Sequence, residues 1–147
     1  MKEALAAQER EKLALEAKTI DQVAPGEQQP EVEHSFASEN SESGIHLNRH
    51  WRHATGWFSY RLVDKKKEAV KLRITYYGLD SGRQFDILVN DQKLAEVNLD
   101  GSHGNGFFEE DYAIPATVRQ AGVLTVKFVA HPGSLAGGVF GVRLMRE

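Results

Sequence analysis

The chain has 147 residues, 18 basic and 21 acidic side chains for a formal net charge of -3, and no cysteine. Such a length holds one domain and an appendage, and the charge leaves neither a cationic footprint for nucleic acid nor a polybasic patch for a membrane surface. Without thiols, a disulfide framework, a thiolate metal site and a cysteine nucleophile are all excluded.

Residues 2–18 are rich in Ala, Leu, Glu and Lys, the strongest helix formers, and Leu5, Ala6, Leu13, Ala17 and Ile20 fall on one side, interrupted by Glu9. A helix this short gains little stability alone. Residues 1–18 therefore read as a helical connector to something upstream, or as a frayed tail. Their charged sequence has no apolar core of an export signal, and no stretch approaches the roughly 18 apolar residues of a membrane span, so a soluble chain is expected.

From Thr19 the text changes to TIDQVAPGEQQPEVE, where Pro25-Gly26 marks a turn and Pro30 favours an extended Gln29. This is the boundary of the main domain, set at 19–147. The stretch HSFASENSESGIHLNRH, His34 to His50, is polar and longer than an ordinary connection. It reads as a linker or as a loop laid over a surface, and Phe36, Ile45 and Leu47 favour the ordered loop.

Beyond Trp51 the period becomes two. Phe58, Tyr60 and Leu62 alternate with Ser59 and Arg61, and Val70, Leu72, Ile74 and Tyr76 alternate with Lys71, Arg73, Thr75 and Tyr77. QFDILV and KLAEVNL flank Asn90-Asp91, a pair tolerant of positive φ, and form a predicted hairpin. FFEEDYAI, VLTVKFVA and VFGVRLM complete seven strands, with a short helical turn in PATVRQAG. Seven evenly spaced strands without a long helix between them predict an all-β antiparallel sandwich of the jelly-roll kind, preceded by a short N-terminal helix.

In such a sandwich alternate loops collect at one end. His53–Gly56, Gly78–Arg83, Asp100–Gly106 and His131–Gly138 would share one end and the short, generic loops the other. The first set is rich in glycine and carries His53, Asp80, Arg83, His103, Asn105 and His131. Asp80 and Arg83 either contact a polar ligand or pair with each other. Trp51, Trp57 and Tyr77 are candidate platforms for a sugar ring, although large aromatics in small sandwiches also fill the core.

Other chemistries find little support in the sequence. No glycine-rich loop precedes a helix that would cradle phosphate. His46, His50 and His53 cluster without a carboxylate at a recognisable spacing, so no histidine-bound metal is assigned. Calcium held by oxygens of Asp80, Asp86 or Glu31 is the one cofactor considered, and no calcium-loop signature accompanies it. Glu109, Glu110 and Asp111 are consecutive, so they alternate between faces instead of forming a hydrolytic pair, and no catalytic residue is assigned.

TIDQV, PGEQQPEVEH, WR followed by GWFSY, ITYYGLDSGRQFDILVND, FFEEDYAIP and VKFVAHPGSLAGGVFGVRLM together resemble the C-terminal β-sandwich domain of bacterial β-L-arabinofuranosidase-like glycoside hydrolases. The resemblance covers Thr19 to Glu147. It implies an accessory domain whose parent carries its chemistry on an upstream (α/α) barrel, commonly with a zinc-bound cysteine, and whose parent is exported. Where that family has a Tyr-Trp pair, this chain has Tyr76-Tyr77, which weakens a stacking platform.

The expected function is therefore a non-catalytic binding module for an arabinose-containing plant polysaccharide, with Trp57, Tyr77, Asp80, Arg83, His103 and Asn105 as ligand contacts. The alternative is a structural domain that packs against the parent barrel, with an apolar patch capable of self-association. Neither nucleic acid nor membrane is an expected partner.

Overall fold

The computed structural model describes residues 2–147, with side chains from residue 6 onward; Met1 and the side chain of Leu5, part of the expected helix stripe, lie outside the described residues. A helix α1 (Lys2–Lys18) leads into strand β1 (Thr19–Val23) and a short helix α2 (Gln28–Glu33). Strands β2 (Ala37–His46), β3 (Arg49–Val63), β4 (Lys71–Tyr77), β5 (Ser81–Val89), β6 (Gln92–Asp100) and β7 (Phe107–Ala113) follow. A helical turn α3 (Ala116–Arg119) precedes β8 (Val123–Ala130), β9 (Ala136–Val139) and β10 (Gly141–Met145).

Two antiparallel sheets face each other. The smaller has the order β1-β10-β4-β7 and the larger β2-β3-β8-β5-β6, with β9 also paired to β3. The period-two residues meet between them: Phe58, Tyr60, Leu62, Leu72, Ile74, Tyr76, Phe85, Ile87, Leu124, Val126 and Phe128 are each fully buried. Phe58 stacks on Phe128 within the larger sheet at 4.8 Å between ring centres, and Tyr76 crosses from the smaller sheet to meet Phe85 edge-on at 6.2 Å. Each large side chain so buried contributes about 2–3 kcal/mol of hydrophobic stabilisation. The jelly-roll sandwich with its N-terminal helix is the fold that the alternation predicts.

The Asn90-Asp91 hairpin is present, with φ 50° and 66° at the two residues. Asn90 ties the turn to the neighbouring strand, its Nδ2 donating to Val123 O at 3.2 Å and its Oδ1 accepting from Thr125 N at 2.8 Å. Three of the four loops expected at one end do gather there. Gly78, His103 and Gly106 exchange backbone hydrogen bonds, and His131 N bonds Gln84 O at the same end, while Asp64 meets Gly122 at the other.

Three strands exceed the seven expected. Residues 19–33, read as boundary text, form a strand of the smaller sheet and a helix. The polar stretch after Phe36 is β2, and the supposed His53–Gly56 loop is the middle of β3. Backbone pairing accounts for these differences: β3 is paired to β2 on one side and to β8 and β9 on the other, so low strand propensity there is overridden. Phe36 packs against the core, but Ile45 and Leu47 are 63% and 60% exposed, contrary to the burial expected of them. Of the expected helix stripe, Ile20 at the start of β1 packs against the core, whereas Leu13 is 64% exposed.

Candidate functional site

At the end where the glycine-rich loops gather, a cleft of about 310 Å³ opens between the β2–β3 hairpin and the turn after β4. One wall is Tyr77, the last residue of β4. Its ring meets His46 edge-on at 4.7 Å and Phe107 at 5.4 Å. The chain then turns through Gly78 and returns as β5, setting Asp80 and Arg83 along the cleft. Their side chains approach to 3.6 Å and are each about 20% exposed. A guanidinium has five N–H donors and a carboxylate several lone pairs, so one loose contact leaves both able to bond a polar ligand.

The opposite wall is the β2–β3 hairpin, whose tip Leu47-Asn48 has φ 50° and 65°. Trp51 lies across Gly44 of the partner strand: a Cβ at Gly44 would stand 2.5 Å from the indole, so glycine is what lets the ring lie flat there. His53 packs against Trp51 at 4.7 Å and also lines the cleft. Burial first, and the Arg83 charge second, lower the His53 pKa, outweighing Glu42 and Asp80. A neutral imidazole results, with one donor and one acceptor nitrogen, which suits a hydroxyl.

Strand β9, reached through the loop after β8, closes the third side with Gly138. Ser134 anchors that loop, its Oγ accepting from Gln84 N at 2.7 Å and donating to Gly82 O at 3.1 Å. Gly138 lies against the ion pair, its virtual Cβ 3.5 Å from Arg83 Nη1 and 3.7 Å from Asp80 Oδ2. Two aromatic walls and a charged pair thus surround an open, partly apolar depression.

Of the six residues singled out in the sequence, the cleft brings together Tyr77, Asp80 and Arg83. His103 stacks on Phe108, 4.2 Å apart and 5° from parallel, and Asn105 is exposed in the same loop; both sit at this end but outside the cleft lining. Trp57 is elsewhere in β3, where Lys127 Nζ lies 4.3 Å over its ring and its Nε1 donates to Glu39 at 3.2 Å. Sequence reading missed His46 and Phe140 as cleft residues, and assigned His53 to this end as part of a loop, not of a strand. Had Leu47-Asn48 been read as a hairpin tip, His46, Trp51 and His53 would have followed as neighbours across it.

The oxygens considered for calcium are each engaged by a cation. Glu31 is bound by Arg52, Asp80 faces Arg83, and Asp86 lies 2.8 Å from His131 Nε2 and 3.4 Å from Lys93 Nζ. Asp86, Glu96 and His131 do approach one another within 4.8 Å, but Lys93 Nζ, 3.4 Å from both carboxylates, already supplies the positive charge there. Along β7, Asp111 is taken by Arg73 in a two-pronged contact of 2.7 and 2.9 Å, and Glu109 lies near Thr75.

Among solved structures the chain is similar to a family 35 carbohydrate binding module from an environmental isolate, with TM-score 0.61 and 15% identity over 84% of this chain and 91% of that one. A family 35 carbohydrate binding module from Clostridium thermocellum superposes with TM-score 0.58 at 11% identity, over 86% of this chain and 98% of that one. The extracellular domain of ANXUR1 from Arabidopsis thaliana gives TM-score 0.62 at 15% identity, over 86% of this chain. This chain spans only 42% of the length of that ectodomain. At such identities the likeness is one of fold. No curated protein sequence matches. A family profile described as "Family of unknown function (DUF6805)" matches residues 14–145, and the chain belongs to that family.

Proposed function

We propose that this chain is a non-catalytic carbohydrate-binding domain and that the end cleft is its site. The observation that carries the reading is the pairing of Tyr77 and Trp51 walls with the Asp80–Arg83 pair. A sugar needs an apolar face for its C–H groups and fixed donors and acceptors for its hydroxyls, and the cleft presents both. The sandwich fold shared with family 35 carbohydrate binding modules supports the same conclusion.

The resemblance to arabinofuranosidase-like enzymes supports arabinose-containing plant polysaccharide as the ligand class, and a role as accessory to an exported glycoside hydrolase. In that arrangement α1 is the connector: its described side chains are exposed apart from the half-buried Ala7 and Leu15, and a helix with so little packed apolar face suits a bridge between domains.

Titration of the protein with arabinan, arabinoxylan and L-arabinose oligomers, followed by backbone amide shifts, tests the assignment. Shifts confined to Tyr77–Arg83, Trp51–His53 and Gly138, lost in Tyr77→Ala while the fold persists, are the expected result. Unchanged spectra at millimolar ligand would sink it and leave a domain that packs against its neighbour.

A further inference from the structure

Beside the cleft, the outer face of the smaller sheet holds a larger depression of about 780 Å³. Its floor is made by Thr75 of β4, Gly141 of β10 and Gln22 of β1. Gly141 pairs with Thr75 across the strands, and a Cβ on it would stand 3.0 Å from Thr75 Oγ1, so a missing side chain keeps the centre of the floor open. Phe107 and Phe140 form the wall nearest the cleft.

The polar groups differ in how far they are engaged. Arg73, alongside, is closed by Asp111. Arg143 donates from Nη1 to Thr19 Oγ1 at 2.8 Å and pairs with no carboxylate among the described residues, and Arg49 lies 4.5 Å over the Phe107 ring. Glu109 adds an acceptor beside Thr75. Arg49 and Arg143 are balanced in the lining by Glu33 and Glu109, so the groove shows no single sign of charge and does not suit a polyanion. An aromatic wall with interspersed donors and acceptors matches neutral, hydroxyl-bearing rings.

Groove and cleft meet at Phe140, which lines both. Phe107 stands 4.8 Å from Phe140 and 5.4 Å from Tyr77, so the three rings form a crest between the two depressions. We propose that one neutral polysaccharide chain runs from the cleft over this crest into the groove, so that the domain grips an internal stretch of glycan and not a chain end. This rests on the carbohydrate-binding reading of the cleft. A chain that fills both depressions gains affinity because the second contact is intramolecular.

The test is calorimetry of the full chain with linear arabinan fragments of increasing length, joined to amide-shift mapping. The expected result is affinity rising roughly tenfold or more once a fragment outgrows the cleft. Shifts at Thr75, Phe107 and Gly141 should appear only with the longer fragments. Arg143→Ala should bring the long-fragment affinity down to that of the short ones, with thermal unfolding verifying the fold. Equal affinity for short and long fragments, with shifts confined to the cleft, overturns the groove and leaves the cleft reading standing. No binding of any fragment overturns both.

Discussion

Glu31 offers the sharpest test of how this fold is held, because it is a carboxylate 5% exposed in a domain of modest size. Its oxygens accept from Arg52 Nε at 2.7 Å and Nη2 at 2.9 Å, from the Tyr60 hydroxyl at 2.6 Å and from Gly26 N at 3.0 Å. Burial pushes its pKa up, but the bonds from Arg52, Gly26 and Tyr60 together outweigh burial and hold it below the ordinary value. Arg52 in turn donates to Ser41 Oγ at 2.8 Å and lies 4.2 Å over the Phe36 ring. Glu31→Ala leaves a guanidinium only 12% exposed without its counter-charge, a loss of about 3–5 kcal/mol. At about 3 °C per kcal/mol for a chain of this size, the unfolding midpoint should fall by about 9–15 °C. Urea unfolding with an unchanged slope gives the free energy directly. A loss below about 1 kcal/mol would refute the assignment of Glu31 as the anchor. The pair Glu31→Leu with Arg52→Met should be less damaging than Glu31→Ala alone, since no buried charge is then stranded. Because the Glu31 pKa is depressed, its contribution is complete above the unfolded value of 4.5 and is lost as pH falls through the folded value.

The opposite pH dependence belongs to His34, whose Nδ1 and Nε2 face two acceptors, Pro30 O and Asp21 Oδ1, each at 2.8 Å. Burial lowers its pKa, yet the Asp21 bond and its companions raise it overall above 6.5. Its stabilisation is complete below 6.5 and disappears as pH rises through the folded value; a thermal-melt series should show that slope flattened in His34→Gln, and an equal slope in both would dismiss it. Trp57→Ala should leave glycan affinity unchanged in calorimetry, because Lys127 and Glu39 already engage the ring away from the cleft; a tenfold loss, about 1.4 kcal/mol, would bring Trp57 into the site. Asn90→Ala removes two side-chain bonds and a residue suited to positive φ, so unfolding should show a loss of about 1–3 kcal/mol, and a neutral variant would discount both bonds.

The sequence made the sandwich legible wherever one face of a strand is apolar. Phe58, Tyr60 and Leu62, or Leu124, Val126 and Phe128, announce both the strand and the side that turns inward. Asn90-Asp91 was legible because a two-residue turn demands positive φ and few residues accept it. In contrast, β2 reads ASENSESGIH and is mostly exposed, so no alternation marks it; it is a strand because β3 offers an edge to pair with. The candidate site divides the same way. Tyr77, Asp80 and Arg83 belong to one strand-turn-strand segment, and local pattern brought them together. Trp51 and His53 reach the cleft only through a hairpin whose partner strand looks like linker.

That linker-like text is also what fixes the cleft wall. Arg52 sits between Trp51 and His53 in β3, and its side chain is clamped by Glu31 from α2 and by Ser41 from β2. Its backbone runs against β9, where a Cβ on Gly137 would stand 2.6 Å from Arg52 O. A chain starting after Phe36 retains all seven strands that alternation reveals, yet it removes the carboxylate, the Phe36 ring and strand β1 at once. Such a truncation should lose more stability than Glu31→Ala, and its amide shifts should spread through Trp51–His53, far along the chain from the cut. A truncated domain with native stability and unshifted cleft residues would show that the wall holds by strand pairing alone.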